Sequence, residues 1–411
     1  MKLLECAEIL MTIFMARKTL EDARLSPHYF TRNRKMSFQE ILRYLISGCK
    51  MSTQACLNEF FEKIGKNMHM TQQALSKARN HFDHSPFLKA FYALRDKEYS
   101  FVNEDNLKRL YGFLFVAIDG SIIPLPNLPA LREAFGALKG SASARASIAL
   151  DVLNDRIIDA NLSPLSVDER TLAMGHISIL SKLITMEKTV FIFDRGYISK
   201  DFIRYLLDIN AKFIIRARTK FDMFVDEAKI GSSTVTLDNG ITVRVVKFYL
   251  PSGEIETLVT NLFTMPKSHF KTLYFLRWPV ETKYDIVKNK LELPNFTGYT
   301  TNIIYQDFWI SMLLSNIASV AKAESDDIIQ WKRFGKSNKY QYQTNINVVI
   351  ASLRNRFALA VFSRNPLLRM MRINKIIYEI SCAAVPIRKN RTIPRKTARH
   401  VKFHHNKKSN V

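Results

Sequence analysis

One short segment contains four residues whose side chains could hold a ligand. The segment YFLRWPVETKYDIVKNK spans residues 274–290 and includes Tyr274, Arg277, Glu281 and Lys288. On a helix that turns about 100° per residue, these positions fall within a stripe roughly 60° wide. Such a stripe is typical of a solvated helix face with i,i+4 charge pairs. Residues elsewhere in the chain are needed to indicate a binding site.

Pro279 limits this argument. Proline belongs in the first turn of a helix, which predicts a helix that begins near Trp278. Tyr274 and Arg277 would then precede the helix, and only Glu281 and Lys288 would share its face.

Two aspartates come directly after apolar runs that are typical of buried strands. Asp119 ends the run YGFLFVAID, Asp194 ends TVFIFD, and a glycine follows each within two residues. Either aspartate alone would be an ordinary turn or helix-cap residue. If the two strands are neighbours, however, both carboxylates emerge at the same edge of the sheet.

A glutamate on a helix packed against that edge would place three carboxylates around one point. Glu281 is the natural third residue. Hard divalent cations such as Mg²⁺ prefer oxygen ligands of this kind, and two ions about 3.5–4 Å apart can activate water and stabilise the leaving oxygen of a phosphodiester. The sequence therefore predicts a Mg²⁺ site at Asp119, Asp194 and Glu281, in which Mn²⁺ could substitute.

The net charge points to a polyanionic partner. The chain has 61 Lys and Arg against 37 Asp and Glu, a formal charge of +24. Each neutralised phosphate releases counterions and adds affinity without regard to sequence. This favours DNA or RNA, although a generically basic protein or one that binds anionic membranes would have a similar composition.

Length and apolar content predict an ordinary globular protein. The 411 residues suffice for two or three domains, and 47% hydrophobic content can fill their cores. No uninterrupted apolar stretch approaches the ~20 residues needed to span a bilayer. Glu5 and Glu8 interrupt the N-terminal apolar run, which indicates an amphipathic helix instead of a signal peptide. We expect a soluble, cytoplasmic protein.

The four cysteines are scattered, with no CxxC pair: Cys6, Cys49, Cys56 and Cys382. This argues against a zinc finger and a disulfide framework, and it suits a reducing compartment.

Both ends of the chain have features of DNA-binding segments. Residues 1 to about 100 are mostly helical in pattern, and the helix in MTQQALSKARNHF has an N-cap at Thr71 and carries Lys77 and Arg79. With the helix before it, it could form a helix-turn-helix-like DNA reader, or the two helices could simply pack together. The basic tail after Pro386 has few large apolar residues, which predicts flexibility.

The middle of the chain predicts a mixed α/β sheet. RASIALDVLNDRIIDANL contains two runs joined by Asn154-Asp155, a pattern typical of an antiparallel hairpin. Helical and strand patterns then alternate as far as residue 216. Residues 217–266 differ, because they are rich in Thr, Val and Gly and carry two turn signals. We interpret them as a β-rich insertion.

Together these motifs resemble the signature of the insertion sequence four family of DDE transposases. Asp119 in IDGSIIPLP, Asp194 in FDRGY, and the Tyr-x₂-Arg-x₃-Glu-x₆-Lys series from Tyr274 to Lys288 occur in the family's order. The similarity runs over roughly residues 105 to 320.

The resemblance implies an RNase H-like catalytic core interrupted by a β-strand domain. It implies a helical N-terminal DNA-binding domain at 1–104, the core at 105–216 and 267–330, the insertion at 217–266, and a helical region with a basic tail at 331–411. It also implies that Arg277 and Lys288 hold DNA phosphates against the metals, while the Tyr274 hydroxyl donates a hydrogen bond to the same DNA backbone.

The function implied is that of a DNA transposase. It would bind the terminal inverted repeats of its element, cut at the ends by metal-assisted hydrolysis, and join the 3′-hydroxyls to target DNA. At least a dimer would bring the ends together. Two alternatives stay open: a catalytically silent DNA-binding protein derived from a transposase, and an RNase H-like nuclease without strand transfer.

The sequence departs from the family pattern in its β-rich insertion, and three further polar residues are interpreted as structural. Relatives stack a flipped base on a tryptophan of the insertion, but no tryptophan lies in 217–266, so Phe248 or Tyr249 would have to substitute. We interpret His176 as a packed or capping residue, and Asp168 and Glu169 as first-turn charges of a helix.

Overall fold

The computed structural model describes residues 1–32, 34–48, 52–100, 106–337, 339–354 and 356–388. Its α-helices are Leu3–Met15 (α1), Arg17–Ala23 (α2), Phe38–Ile46 (α3), Thr53–Lys63 (α4), Gln72–Arg79 (α5), Ser85–Glu98 (α6), Pro129–Phe135 (α7), Glu169–Leu180 (α8), Lys200–Asp208 (α9), Met223–Glu227 (α10), Phe270–Phe275 (α11), Trp278–Asp285 (α12), Thr301–Arg333 (α13), Ile346–Leu353 (α14), Arg356–Val361 (α15) and Pro366–Cys382 (α16). Its strands are Leu114–Pro124 (β1), Ala137–Leu138 (β2), Ser141–Asp151 (β3), Arg156–Ser163 (β4), Thr189–Phe193 (β5), Lys212–Arg216 (β6), Gly231–Thr236 (β7), Thr242–Tyr249 (β8), Ile255–Thr260 (β9), Gln341–Thr344 (β10) and Ala384–Ile387 (β11).

Most of the strands in the described residues form one large mixed sheet. Its order is β2-β3-β1-β5-β6-β9-β8-β7, and β4 pairs with β3. Strands β1, β5 and β6 are parallel, whereas β3 is antiparallel to both β1 and β4. Strands β9, β8 and β7 continue the sheet from β6 in antiparallel fashion. The predicted mixed α/β sheet is confirmed.

The central strands have the composition of strands that are covered on both faces. Every residue of β5 is buried, as are the first five residues of β1. Continuous apolar runs of this kind are typical of parallel strands between two layers of helices. The predicted hairpin is also confirmed: β3 and β4 pair on either side of Asn154-Asp155, and Asp155 takes the positive φ of 56° that a tight hairpin turn requires.

Helices cover the two faces of the sheet. On one face, α8 and α9 contribute Ala173 and Phe202 to a core shared with Val116 and Phe191. On the other face, α12 and the long helix α13 share a core with Ala117 and with the N-terminal helices, among them α1 and α6. Helix α13 begins at its N-cap Thr300, whose hydroxyl accepts a hydrogen bond from the Ile303 N–H.

The N-terminal helices form where their caps predict, but one basic residue has an unexpected environment. Thr71 caps α5. Arg79, on the same helix, is only 1% exposed and donates to Gln306 Oε1 at 2.9 Å and to Asp307 Oδ1 at 2.8 Å. Because α13 binds this guanidinium, Arg79 follows the packing alternative and does not belong to a DNA-reading surface.

Three further sequence expectations can be compared with the structure. Within the described ranges no helix has the length and apolar character needed to cross a bilayer. Cys6 and Cys382 are free thiols, whereas Cys56 forms a disulfide bond, which the argument against a disulfide framework did not predict. Cys49 and the basic tail beyond Arg388 lie outside the described residues.

Candidate active site

Asp119 and Asp194 lie at the same end of two neighbouring parallel strands. The parallel pairing of β1 with β5 runs to Ala117 and Ile192, and each aspartate comes two residues later in the chain. Asp119 is still within β1, whereas Asp194 directly follows Phe193, the last residue of β5. The predicted neighbourhood of the two strands is therefore present. One detail differs: β1 does not end at Asp119 but continues along β3 to Pro124, so Gly120 is part of a strand and not of a turn.

Glu281 reaches this edge from the first turn of α12. Pro279 lies in that first turn and the helix begins at Trp278, as the sequence predicts. Tyr274 belongs to the separate short helix α11, and Arg277 is the N-cap of α12. The continuous stripe inferred from spacing is thus broken between Tyr274 and Glu281.

Arg277 links the carboxylates. One of its terminal nitrogens lies 2.6 Å from Glu281 Oε1, and the other lies 4.0 Å from Asp119 Oδ2. Its side chain is 11% exposed, and its Nε has no hydrogen-bond partner in the described part of the chain. The guanidinium therefore balances the negative charge of two acidic side chains, and its Nε–H makes no hydrogen bond to a described residue.

Two residues of the α12 segment attach it to β1. The Tyr284 hydroxyl lies 2.9 Å from the carbonyl oxygen of Asp119 and 3.1 Å from that of Ala146. Lys288 donates to Ser121 Oγ at 2.5 Å and to the Ile122 carbonyl at 3.1 Å. Lys288 belongs to a π-helical turn, Ile286–Lys290, that continues α12. These contacts fix the height of Glu281 relative to Asp119.

An ion pair between a buried lysine and Asp155 ties α12 to the turn between β3 and β4. Lys283 is 1% exposed, and its Nζ lies 2.6 Å from Asp155 Oδ1 and 2.7 Å from Ser319 Oγ. Burial lowers the pKa of Lys283, and the Asp155 carboxylate opposes that effect. The helix that carries Glu281 is therefore held between the β3–β4 turn and α13.

The electrostatics of the site disfavour isolated negative charge. Burial raises the pKa of Asp119 to about 6, against the opposing effects of Arg277 and of the Gly120 N–H, which donates to Asp119 Oδ1 at 2.9 Å. Burial likewise raises the pKa of the Tyr274 hydroxyl. Among the described residues, neither that hydroxyl nor Asp194 Oδ1 has a hydrogen-bond partner, although both atoms are buried.

These groups can be tested for their fit to a divalent cation. No three acidic, histidine or cysteine side chains of the described segments lie close enough together to hold a metal ion in this arrangement. The donors nevertheless fit in kind, since they are carboxylate oxygens. Asp194 Oδ1 is buried and accepts no hydrogen bond from the described residues, so it is available to a cation. The Arg277 guanidinium supplies positive charge to Glu281 and Asp119 in this arrangement, where a metal ion would otherwise do so.

A fourth carboxylate lies at this edge, and the sequence interpretation missed its position. Asp168 is the N-cap of α8, as predicted for a first-turn charge, with its carboxylate accepting from the N–H groups of Arg170 and Thr171. Glu169, the next residue, lies in the first turn as predicted, and its carboxylate is directed towards Gly120: a Cβ added to Gly120 would lie 2.9 Å from Glu169 Oε1. Local sequence gives no signal for this contact, because it depends on how α8 packs over β1.

His176 is a packed residue, as predicted. Its Nδ1 lies 2.5 Å from Asp159 Oδ2 and its Nε2 lies 3.0 Å from Ser147 Oγ. The order Ser-His-Asp matches that of a hydrolytic triad. All three side chains are buried, with Ser147 fully so, and a substrate therefore has no access to the hydroxyl.

The two aromatic residues considered for base stacking differ in exposure. Tyr249, at the end of β8, is 58% exposed, whereas Phe248 packs partly against the core beneath the sheet. Tyr249 is therefore the one of the two with an accessible ring.

The chain belongs to the transposase DDE domain family. The model of that family matches residues 111–317, which include Asp119, Asp194, Glu281 and Lys288.

Individual relatives are distant. Over 209 residues the chain is 23% identical to the probable transposase for insertion sequence element IS5377 of Geobacillus stearothermophilus, covering 47% of this chain and 51% of that protein. The match thus spans about half the length of that relative. Among solved structures, a piggyBac transposase synaptic complex with hairpin DNA aligns with a TM-score of 0.49 and 11% identity, over 97% of this chain and 88% of that one.

Proposed function

We propose that this chain is the transposase of a bacterial insertion sequence, of the insertion sequence four family with its Tyr-Arg-Glu-Lys signature. It binds the terminal inverted repeats of its element, cleaves at the element ends, and joins the resulting 3′-hydroxyls to target DNA. The observation that carries the proposal is the placement of Asp119 and Asp194 at the same end of two neighbouring parallel strands, with Glu281 linked to Asp119 through Arg277.

The proposal extends to the architecture. Strands β4-β3-β1-β5-β6, with β3 antiparallel to its neighbours, form an RNase H-like core divided between 105–216 and 267–330. Residues 217–266 are its β-rich insertion, residues 1–104 are the helical DNA-binding domain, and residues 331–411 form a helical region with a basic tail.

The acidic residues define the chemistry. Asp119, Asp194 and Glu281 would hold Mg²⁺, or Mn²⁺ in its place, which when bound supplies an activated water and stabilises the leaving oxygen. Water attacks the phosphorus at the element end and the 3′-oxygen leaves, so that a 3′-hydroxyl and a 5′-phosphate result. The 3′-hydroxyl then attacks a target phosphodiester, so no protein–DNA covalent bond is formed.

The neighbouring residues position the substrate. Arg277 has an Nε that makes no hydrogen bond to any described residue, and a planar guanidinium suits a phosphate. The buried Tyr274 hydroxyl is a further donor without a partner in the described ranges. Lys288 adds positive charge next to β1, where its bonds to Ser121 and Ile122 also align the helix. The partner is double-stranded DNA, and two copies would be needed to bring both ends together.

A cleavage and strand-transfer assay tests the proposal. The substrate is a duplex of the inverted repeats that flank the gene, with Mg²⁺ and a target plasmid. We expect cleavage and joining by the wild type, and loss of both in Asp119→Ala, Asp194→Ala and Glu281→Ala with end binding retained. Binding without cleavage by the wild type would indicate a silent DNA-binding protein, and cleavage without joining a nuclease. Robust Mg²⁺-dependent cleavage by any of the three variants would remove that residue from the site.

A further inference from the structure

The Glu169 carboxylate lies beside the glycines that follow both aspartates of the site. A Cβ on Gly120 would come within 2.9 Å of Glu169 Oε1, and a Cβ on Gly196 within 3.7 Å of Oε2. Gly120 follows Asp119 directly, and Gly196 lies two residues after Asp194. Any side chain at position 120 would displace the carboxylate, so this glycine permits the close approach of an acidic group to the edge where the aspartates lie.

Glu169 has an arginine partner, just as Glu281 has. Arg145, on β3, places a terminal nitrogen 2.6 Å from Glu169 Oε1, and Arg277 stands at the same distance from Glu281 Oε1. Both glutamates are partly accessible, with side chains 35% and 38% exposed. Asp119 is thus flanked by two glutamate–arginine pairs, one from α8 with β3 and one from α12.

A buried hydroxyl without a partner points to a ligand at the same place. Tyr197 is 1% exposed, and its hydroxyl makes no hydrogen bond within the described part of the chain. Tyr197 directly follows Gly196, and its N–H donates to the carbonyl oxygen of Asp194 at 3.1 Å, which places the residue at the same edge. A buried hydroxyl without a partner is costly, and a ligand or its bound water would complete its hydrogen bonding.

We propose that Glu169 is a fourth cation-binding carboxylate of the active site, and that Arg145 is its counter-ion when no cation is bound. The proposal rests on the proposed function, because the ligand is the same divalent cation. Two ions bring four positive charges, which three carboxylates do not balance, and hard cations take additional oxygen ligands readily. Arg145 and Arg277 would then neutralise the two glutamates in the cation-free protein.

The alternative is that Glu169 and Arg145 form an ordinary structural ion pair. The two alternatives predict different effects of these substitutions on cation affinity. If the pair is structural, loss of either partner lowers stability and leaves cation binding unchanged. If Arg145 competes with the cation for Glu169, then Glu169→Gln weakens cation binding, whereas Arg145→Gln strengthens it.

The experiment measures Mn²⁺ binding to the full chain without DNA, by calorimetry and by the electron paramagnetic resonance of free Mn²⁺. Variants are Glu169→Gln, Arg145→Gln, Glu281→Gln and, as the matched control, Glu133→Gln, an exposed glutamate of α7. Thermal unfolding of each variant reports on the fold. We expect Glu169→Gln to bind Mn²⁺ at least about 10–100-fold more weakly, since loss of a group that only supports a ligand already has that effect. Arg145→Gln should bind it more tightly, and Glu133→Gln should match the wild type.

Two results would overturn the inference in distinguishable ways. If Glu281→Gln loses Mn²⁺ binding while Glu169→Gln retains the wild-type affinity, Glu169 is not a ligand and the proposed function stands. If the wild type itself binds no Mn²⁺, the inference fails, and the cleavage assay decides separately whether the proposed function stands. Should Glu169→Gln not fold, Arg145→Gln decides, since unchanged or weaker binding there contradicts the competition.

Discussion

A terminal nitrogen of Arg277 lies 2.6 Å from Glu281 Oε1, and these two residues stand one turn apart at the start of α12. The same guanidinium approaches Asp119 at 4.0 Å. A cation is therefore already present between two of the three carboxylates assigned to the metal site. Since lysine and arginine bind phosphate but not metal ions, Arg277 would have to exchange Glu281 for a DNA phosphate when metal and substrate enter.

Replacement of Arg277 should separate substrate positioning from cation binding. We expect Arg277→Ala to retain Mn²⁺ binding and to slow cleavage on the order of 10²-fold, because a misplaced substrate strand costs about that much. Arg277→Lys should recover little, since lysine lacks the planar fork that contacts two phosphate oxygens. Single-turnover cleavage of a terminal-repeat duplex measures the rate.

The matched control is Arg17→Ala. Arg17 makes the same i,i+4 contact, to Glu21 at 2.8 Å, on a helix far from the site in sequence, and its side chain is 90% exposed. This variant should cleave at the wild-type rate. A wild-type rate in Arg277→Ala would show instead that Arg277 is an ordinary helix charge.

Tyr284→Phe tests whether the attachment of α12 to β1 sets the geometry of the site. The change removes a hydroxyl that contacts the carbonyl oxygens of Asp119 and Ala146. The loss should lower the free energy of unfolding by about 1 kcal/mol and reduce the cleavage rate, because Glu281 is no longer held at its height above Asp119.

Urea unfolding and single-turnover rates measure the two effects of Tyr284→Phe. Tyr305→Phe is the control. It removes a tyrosine hydroxyl on α13 and keeps the ring that packs on Phe135. A rate that is unaffected in Tyr284→Phe, with only stability reduced, would restrict Tyr284 to a packing role.

The sequence predicts the parts of the site that depend on local pattern. Two buried runs locate the strands that lead to Asp119 and Asp194, and Pro279 locates the start of α12, whereas the pairing of β1 with β5 is seen only in the sheet. The contact of Glu169 was missed because its carboxylate reaches Gly120, 49 residues earlier in the chain, only through the packing of α8 over β1. A first-turn glutamate that faces solvent has the same local sequence.

Arg79 illustrates the same limit in the opposite direction. Its position on a basic, capped helix favours a DNA contact, yet Asp307 on α13 pairs with it in the core at 2.8 Å. No local pattern indicates a partner so distant in the chain. Burial of a charge is therefore decided by tertiary contacts, which spacing within one helix does not contain.

Asp151 should make stability depend on pH in an unusual direction. It is fully buried at the end of β3, where it accepts a hydrogen bond from the Tyr99 hydroxyl at 2.6 Å, and burial raises its pKa to about 6. The unfolded chain has an ordinary aspartate pKa of about 3.9. Between these values the folded state holds a proton that the unfolded state has lost, so the stabilisation present below about pH 4 is lost as the pH rises through 6.

Comparison with Asp151→Asn isolates this effect, because asparagine does not titrate. Two pKa units correspond to about 3 kcal/mol, so the difference in free energy of unfolding between variant and wild type should shift by about that amount in favour of the variant from about pH 4 to about pH 7. Urea unfolding at intervals across that range measures it. A difference that stays constant with pH would show that Asp151 titrates normally in the folded protein.

Salt and the basic tail should act together on DNA affinity. The formal charge of +24 predicts that DNA binding releases many counterions. If six to ten phosphates are neutralised, affinity should fall on the order of 10³–10⁵ between about 50 and 200 mM salt.

Residues 388–411 are rich in Lys and Arg and contain no Asp or Glu. Their deletion should weaken binding to terminal repeats and to unrelated duplexes by the same factor and should flatten the salt dependence, because phosphate contacts carry no sequence information. Fluorescence anisotropy titrations of both duplexes at several salt concentrations measure this, with a neutral tail of equal length as the control for charge. A nearly flat salt titration of the full chain would mean that the excess charge does not serve DNA binding, and a loss confined to the terminal repeats would assign sequence recognition to the tail.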